Sequence, residues 1–312
     1  MASDTPTVCV FSPSLLVTVT VESGSSDFDE IHFHMGGQGY WIARMVRELE
    51  ERPILCAPVG GETGRVIRGL VRSTGFDFSP VELANASAAY VHDRRNGRRD
   101  EIAASRSPDL DRHEIDDLFA RTLQHSLAAG VCVLTGRRAG DELPIDLYRR
   151  LASDLRAAGV RTVGDLHGEE LSAFLAGGTL DILKVSDEDL TADGRLGGET
   201  TDDVWAAIDE LSREGAEAIV VSRGRHGALA RFGDARYRVT PPALEVVDPA
   251  GAGDSMTAAL AVALVRGQEP EDSLRLSAAA GAANVTRHGL GSAPVALISR
   301  LSSLIDVDRV EG

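Results

Sequence analysis

From about residue 129 onward, short apolar runs alternate with segments whose apolar residues recur at helical spacing. Apolar runs this short, bounded by turn residues, are typical of buried strands, and the intervening segments suit the helices that connect parallel strands. The predicted strands are residues 131–134, 160–163, 181–184 and 218–221, and the predicted helices are residues 144–158, 169–175 and 201–214. This alternation predicts an α/β fold with a doubly wound, largely parallel sheet and helices on both of its faces.

The first hundred residues have a different pattern. The predicted strands are residues 8–11, 17–21, 31–34 and 88–93, and one clear helix is predicted at residues 38–50. Several short strands beside a glycine turn predict a small β-rich lid, built from segments within about residues 8–35 and 86–104. No repeat, low-complexity tract or linker divides the sequence, so we predict a single domain over residues 1–312.

The chain carries 48 acidic and 32 basic side chains, which gives a formal net charge of −16 at pH 7. Because nucleic-acid binding needs clustered Lys and Arg, we expect no nucleic-acid partner. The one basic cluster, at Arg94, Arg95, Arg98 and Arg99, suits either a solvated turn or contact with an anionic substrate. Neither a membrane-length apolar run nor a signal-peptide pattern is present, so we expect a soluble cytoplasmic protein without a membrane partner.

The segment at residues 248–255 joins a turn of small residues to a strongly apolar predicted helix. The first backbone N–H groups of such a helix are unpaired and lie at the positive end of its dipole, which makes an anion site. Gly251 and Gly253 have no Cβ to block the anion. A carboxylate at Asp254 would repel a simply bound phosphate, but it suits a general base for an attacking hydroxyl. Alternatively, Asp254 only caps the helix.

The segment at residues 248–255 resembles the GAGD signature of the PfkB/ribokinase family of carbohydrate kinases. Further motifs follow in the family's order and spacing at residues 31–44, 58–64, 134–136, 165–168, 184–190 and 222–228. The layout is most similar to the phosphosugar branch of that family. The resemblance implies a ribokinase-like fold and an ATP-dependent transfer of phosphate to a hydroxyl of a sugar, a sugar phosphate or a related small alcohol.

The resemblance also implies roles for individual residues. Asp254 would be the catalytic base, and the anion hole would consist of the backbone amides of Gly251, Ala252 and Gly253. The nucleotide-binding residues would be Ser222, Gly224, Gly227, Lys184 and Asn284. From the residues alone, the glycines at 224 and 227 equally suit an ordinary tight turn, and the amide at 284 equally suits a buried group paired with backbone.

The segment at residues 184–190 matches the family motif KPNxxEL, whose Asn and Glu organise Mg²⁺ through water. Ser186 occupies the Asn position and Asp189 the Glu position, with Glu188 beside them. Hydroxyl and carboxylate oxygens suit Mg²⁺, which keeps several waters when it is bound. The resemblance therefore implies Mg²⁺ as a cofactor together with ATP, with Asp189 and Glu188 at the metal. The alternative is an acidic helix N-terminus that only complements the helix dipole.

The predicted substrate side departs from the family branch. The branch has an Asn-Pro-Ala-x-Asp pattern after the first strand, and Leu16 stands here in place of its Asp. The branch motif Gly-Gly-Lys-Gly-x-Asn corresponds to residues 36–41 of this chain. The predicted substrate site consists of Gly36, Gly37, Gln38, Gly39 and Trp41. Gln38 replaces the Lys that would meet a sugar phosphate, and Trp41 replaces a sugar-contacting Asn.

These replacements argue against simple phosphorylation of fructose 1-phosphate and favour a more apolar or aromatic acceptor, such as a nucleoside or a modified sugar. Trp41 is equally compatible with packing against the lid. Arg137 and Arg138 follow the predicted strand at residues 131–134 and suit either anion binding or exposed loop charge. The alternative to an active kinase is a catalytically weak relative that binds a sugar or a nucleoside as a sensor.

Lid strands often pair between subunits in this family, because an exposed sheet edge invites pairing with another strand. We therefore expect a homodimer formed through the lid.

Overall fold

The computed structural model describes residues 5–25, 27–98, 100–138, 140–198, 200–287 and 290–310 of the 312-residue chain. The large sheet has the spatial order β14 (Asp306–Val310), β13 (Ala235–Thr240), β12 (Ala228–Phe232), β11 (Ala216–Ser222), β10 (Leu180–Ser186), β9 (Arg161–Asp165), β8 (Val131–Thr135), β1 (Val8–Phe11), β4 (Pro53–Gly60) and β5 (Asp77–Leu83). The strands from β11 to β5 pair in parallel, and β12, β13 and β14 extend one edge in antiparallel pairing.

Helices cover both faces of this sheet. They are α1 (Gln38–Glu48), α2 (Gly61–Thr74), α3 (Arg112–Ala129), α4 (Asp146–Ala157), α5 (Gly168–Gly177), α6 (Asp187–Ala192), α7 (Thr201–Glu214), α8 (Ala252–Val265), α9 (Pro270–Val285) and α10 (Val295–Ser302). One core packs α1, α2, α8, α9 and α10 against the sheet, and a second core packs α3, α4, α5 and α7 against the other face. The predicted doubly wound, largely parallel α/β fold is confirmed.

Two cores form because the central strands are apolar on both faces. In β8, Val131 and Val133 point into the first core, while Cys132 and Leu134 point into the second. Such continuous burial is typical of parallel strands that are covered by helices on both sides. Within the described ranges, no helix combines the length and apolarity needed to cross a membrane.

A smaller second sheet has the strand order β3 (Glu30–Gly36), β2 (Leu16–Glu22), β6 (Ala88–Asp93) and β7 (Asp100–Ala104). Its strands lie in the two segments from which a β-rich lid was expected, and we refer to this sheet as the lid. The strand β1, which also falls in the first of those segments, belongs to the large sheet instead. The reason is its sequence, Val-Cys-Val-Phe, which has no polar side chain to face solvent and is buried on both sides.

The helix α8 determines where the glycine turn at residues 251–253 lies in space. Its residues are small and apolar on every side, so that nine consecutive positions from Ser255 to Ala263 are buried. A helix that is apolar all round is stable only inside a core. It packs between α1 and α9 and against β8, β9 and β10, which brings its first turn to the carboxyl-terminal edge of the sheet.

Candidate active site

The site is built where the first turn of α8 meets the ends of β9 and β10. Asp165 ends β9, and it is the parallel-register partner of Lys184 on β10. Their charged groups lie 3.6 Å apart, from Nζ of the lysine to Oδ1 of the aspartate, and both side chains are almost completely buried. Thr257, one turn into α8, donates a hydrogen bond of 2.7 Å to the other carboxylate oxygen of Asp165. This places ligand-binding groups at the edge where doubly wound sheets bind ligands.

The absence of a side chain at Gly253 leaves room for the ammonium of Lys184. A Cβ at this position would lie only 2.4 Å from Nζ of Lys184. Gly251, the residue before α8, has a φ of +74°, a left-handed conformation that favours glycine. The first-turn N–H groups of α8 and the ammonium of Lys184, which is paired with Asp165, therefore lie close together, and the predicted anion site at this turn stays a prediction.

Asp254 lies in the same first turn, where the residue as a whole is half-buried. Its removal from water raises the pKa, and the negative charge of Asp165 raises it further. The ammonium of Lys184 and a hydrogen bond from the side chain of Gln38 act in the opposite direction, and the resulting pKa is about 7. A carboxyl with a pKa near neutral pH can both accept and release a proton under working conditions.

A cleft of about 650 Å³ opens between the lid and the turn before α8. Of the predicted substrate residues, Gly36, Gly37 and Trp41 line this cleft. Gln38 instead hydrogen-bonds to Asp254. Gly39 is packed against Ser12, since a Cβ there would lie 2.4 Å from the serine Cβ.

Close packing explains why residues 36 and 37 are glycines. A Cβ at Gly36 would lie 2.4 Å from Cδ1 of Leu16, and one at Gly37 would lie 2.5 Å from the carbonyl oxygen of Ser14. Gly37 also has a φ of +110°. The turn between β3 and α1 therefore approaches the loop after β1 too closely for larger residues.

Trp41 packs against neighbours on its own helix, and its predicted contact with a substrate stays a prediction. Its ring contacts Tyr40 edge-on, with 4.8 Å between the ring centroids, and the guanidinium of Arg44 lies 5.9 Å from its centroid. Trp41 and Leu290 both border the cleft. The ring is thus held by its neighbours on α1 at the edge of the cleft.

The predicted nucleotide-binding loop follows β11. The hydroxyl of Ser222 donates a 3.4 Å hydrogen bond to the carbonyl of Val185. Gly224 and Gly227 both have positive φ values, and a Cβ at Gly227 would lie 2.0 Å from the carbonyl oxygen of Val239. The tight-turn interpretation accounts for Gly227, and contact with a nucleotide stays a prediction for all three residues.

Asn284 is 1% exposed, and its amide is engaged by backbone on both sides. Its Nδ2 donates a 2.6 Å hydrogen bond to the carbonyl of Ala250, and its Oδ1 accepts a 2.9 Å hydrogen bond from the N–H of Gly291. This side chain braces the turn before α8 against the loop after α9. A nucleotide contact would require it to exchange these backbone partners.

At the predicted metal side, Ser186 and Asp189 form a reciprocal cap at the start of α6. The hydroxyl of Ser186 accepts from the backbone N–H of Asp189 at 3.0 Å, and Oδ2 of Asp189 accepts from the backbone N–H of Ser186 at 3.2 Å. Glu188 is exposed beside them. The described part of the chain contains no group of three or more metal-ligating side chains. This geometry fits the alternative of an acidic helix N-terminus, and a metal would be held mainly by water and phosphate oxygens.

The two arginines that follow β8 are both engaged with carboxylates. Arg137 contacts Glu169 at 3.1 Å and Glu170 at 2.8 Å. Arg138 contacts Asp141 at 3.1 Å, and its guanidinium also lies over the ring of Tyr90. Because their charges are compensated within the protein, the suggestion that they provide anion affinity is not supported by the geometry.

The basic cluster between β6 and β7 is largely paired as well. Arg94 lies 3.5 Å from Glu22, and Arg95 contacts Asp29 and Asp93 at 3.0 and 2.7 Å. Arg98 is exposed in the turn, and Arg99 lies outside the described residues. This arrangement corresponds to the solvated-turn interpretation for the first two arginines.

The sequence analysis assigned no role to Asp165 or Thr257, although both help to build the site. A signal was present for Asp165, because it and Lys184 are charged residues at the carboxyl ends of two adjacent apolar runs. Only the strand register shows that they face each other. Thr257 gave no signal, since a threonine inside an apolar helix is unremarkable.

Comparison with known proteins shows the family of this chain. The sequence profile of the pfkB family carbohydrate kinases matches residues 14–296, so the chain belongs to that family. The ATP-dependent 6-phosphofructokinase isozyme 2 of Escherichia coli is 27% identical over 260 residues, which cover 82% of this chain and 83% of that protein. The isozyme of Mycobacterium tuberculosis is 30% identical over 259 residues, covering 81% and 75% of the two chains.

Tagatose-6-phosphate kinase of Staphylococcus epidermidis is 25% identical over 260 residues, with coverage of 82% of this chain and 83% of that protein. The crystal structure of Escherichia coli phosphofructokinase-2 in complex with potassium superposes with a TM-score of 0.83 at 25% identity. That alignment covers 96% of this chain and 99% of the solved chain. The ribokinase-like fold is thereby confirmed, and the protein is an enzyme of the phosphotransferase class.

Proposed function

We propose that this enzyme transfers the γ-phosphate of ATP to a hydroxyl of a sugar, a sugar phosphate or a related small alcohol, with Asp254 as the general base. One observation carries the proposal: a carboxyl with a pKa of about 7 lies in the same helix turn as an anion site that contains the ammonium of Lys184. An acid at a phosphate-binding turn has a chemical purpose if it removes a proton from the attacking hydroxyl.

In the proposed step, Asp254 takes the proton of the acceptor hydroxyl while the hydroxyl oxygen forms its bond to the γ-phosphorus. The bond from that phosphorus to the departing ADP breaks, and the electron pair leaves with ADP. The backbone N–H groups of Gly251, Ala252 and Gly253 stabilise the charge on the transferring group, together with the ammonium of Lys184. Such positioning and charge stabilisation supply most of the catalysis in phosphoryl transfer.

The residues present fit ATP and Mg²⁺ as the cofactors. The room left by Gly253, which a Cβ would fill, opens the anion site beside the ammonium of Lys184. Ser222, Gly224 and Gly227 lie at the same sheet edge, where a nucleotide would bind. Asp189 and Glu188 would hold Mg²⁺ largely through water, and the metal would neutralise phosphate charge.

The substitution Asp254→Asn tests the role of the base. We expect steady-state ATP turnover to fall by roughly 10²-fold or more, because the general-base contribution is lost. The melting temperature and ATP affinity, measured by calorimetry, should remain close to those of the wild type. Asp154→Asn, which changes an exposed carboxylate on α4, is the matched control and should leave turnover unchanged. Near-normal turnover of Asp254→Asn would reject the assignment.

We also infer that the enzyme forms a homodimer through the lid. On the face of the lid opposite the cleft, Ile31 and Phe33 are 60% and 55% exposed. They pair across the strands with Val21 and Val19, so the exposed surface is a continuous apolar patch. A second copy of the chain is the partner that a symmetric patch of this kind would accept.

A further inference from the structure

The face of the lid that lines the cleft is polar but mostly uncharged. In the strand register, Thr18 of β2 lies opposite His34 of β3 and Tyr90 of β6, and Thr20 lies opposite His32. All five side chains border the cleft. They offer hydroxyl and imidazole groups, which donate and accept hydrogen bonds with neutral hydroxyl groups.

The charged groups that line the cleft do not favour an anion. Among the cleft-lining residues of the described ranges, Glu22 and Asp248 are carboxylates, and Arg94 is the single Lys or Arg. The guanidinium of Arg94 lies 3.5 Å from the carboxylate of Glu22. A phosphate ester brought into this cleft would meet more negative than positive charge.

Three side chains close to the cleft, those of Arg138, Lys184 and Gln38, are engaged within the protein. Arg138, which reaches the hydroxyl of Tyr90, is held by Asp141. The ammonium of Lys184 pairs with Asp165 and faces the anion site rather than the lid. Gln38 is neutral and hydrogen-bonds to Asp254. A phosphate group is bound strongly through charge-assisted bonds from cations. Among the cleft-lining residues of the described ranges, the one guanidinium is that of Arg94, and it is already paired with Glu22.

The remaining walls of the cleft are apolar or aromatic. They include Leu16 at the start of β2, together with Trp41 and Leu290. Apolar and aromatic surfaces bind the carbon faces of a sugar ring or the plane of a base, and they provide nothing to compensate a phosphate dianion.

We propose that the acceptor is an uncharged polyhydroxy compound, either a free sugar or a nucleoside, and that the cleft discriminates against its phosphate ester. This inference rests on the proposed function, because it concerns the hydroxyl that Asp254 deprotonates. Thr18, Thr20 and the lid histidines bind the acceptor hydroxyls, and Trp41 covers one face of the ring.

The test compares matched pairs of acceptors that differ only in a phosphate group. The wild-type enzyme is assayed for ADP formation with fructose and fructose 6-phosphate, tagatose and tagatose 6-phosphate, and adenosine and adenosine 5′-monophosphate, with Asp254→Asn as the blank. We expect kcat/KM for the preferred uncharged compound to exceed that of its phosphate ester at least tenfold. The sugar and nucleoside pairs distinguish the two sources of an uncharged acceptor. Equal or better turnover of the phosphate esters would overturn the proposal.

A pair of variants tests whether the missing cation causes the preference. Thr20→Lys places an ammonium on the cleft side of β2, and Ser153→Lys, the control, adds the same charge at an exposed position of α4, away from the lid. We expect Thr20→Lys alone to raise kcat/KM for phosphate esters at least tenfold relative to their uncharged partners. An equal ratio in both variants would show that the charge of the cleft wall does not set acceptor choice.

Calorimetric binding of the same pairs to the wild-type enzyme separates this inference from the proposed function. Tighter binding of an uncharged compound without ADP formation would reject the kinase proposal and uphold the acceptor class. Tighter binding of the phosphate esters, or no binding of any uncharged member, would overturn the acceptor class whatever the turnover.

Discussion

Asp254 is held at a pKa near neutrality by opposing influences. Burial and the carboxylate of Asp165 favour its neutral form, and the ammonium of Lys184 and the amide of Gln38 favour its charged form. Removing the negative charge of Asp165 would lower the pKa of Asp254, and removing the positive charge of Lys184 would raise it. The same arrangement explains why Asp165, which touches no proposed substrate, matters for the proposed chemistry.

The pH dependence of turnover follows from this balance. A general base must be ionised, so kcat/KM should fall as the pH drops through about 7, roughly tenfold for each further unit. Asp165→Asn removes a negative charge beside Asp254 and should therefore shift this acidic limb to lower pH. The pH profiles of the two enzymes, measured with saturating ATP, test this. An unchanged midpoint in a folded Asp165→Asn enzyme would show that another group controls the limb.

At the scale of the elements, sequence periodicity predicted the central half of the fold and missed part of the first hundred residues. The strands β8 to β11 and the helix α7 were predicted because buried strands and amphipathic helices alternate there. The strand β4 and the helix α2 were missed, since β4 contains two prolines and α2 begins with Gly-Glu-Thr-Gly, which are weak signals for either structure. The antiparallel edge strands also lacked a distinctive pattern.

The candidate site was predictable to the extent that it lies in contiguous segments. The turn before α8 combines its glycines and Asp254 within a few residues, so the sequence alone shows the anion site and the acid. The approach of Lys184 to Gly253, by contrast, depends on how α8 packs over β10. The partners of Arg137 and Arg138 likewise depend on loop packing, which no local pattern specifies.

The first turn of α8 can be tested through Gly253. In Gly253→Ala, the new methyl group would occupy the place of the Lys184 ammonium, which ends a flexible chain and can move. We expect the fold to persist, with a melting temperature within a few degrees of the wild type. Turnover should fall on the order of 10²-fold, because a preorganised charge at the anion site is displaced.

The matched control for this change is Gly69→Ala, an exposed position inside α2 with open space around it. It should leave turnover unchanged and stabilise the protein by about 0.5–1 kcal/mol, since alanine favours the helix over glycine. Steady-state kinetics and thermal unfolding of both variants make the comparison. Full activity in Gly253→Ala would contradict the position assigned to the ammonium.

The lid has two different faces, one that lines the cleft and one that carries the exposed apolar patch. Successive residues of β2 and β3 point to opposite faces, so in the middle of these strands Thr20 and His32 face the cleft, and Val21 and Ile31 face outward. A partner that covers the outer face would also hold the inner face in place. Association and acceptor binding are therefore expected to depend on the same four strands.

The double substitution Ile31→Ser and Phe33→Ser tests the proposed dimer. Burial of a large apolar side chain contributes about 1.5–3 kcal/mol, and a symmetric interface loses each side chain twice. The dissociation constant should therefore rise by roughly 1000-fold or more, and sedimentation velocity at micromolar concentration should show monomers. Leu127→Ser, which removes a 55% exposed leucine from α3, is the control and should remain dimeric. A monomeric wild type, or a double variant that still dimerises, would place the interface elsewhere or exclude it.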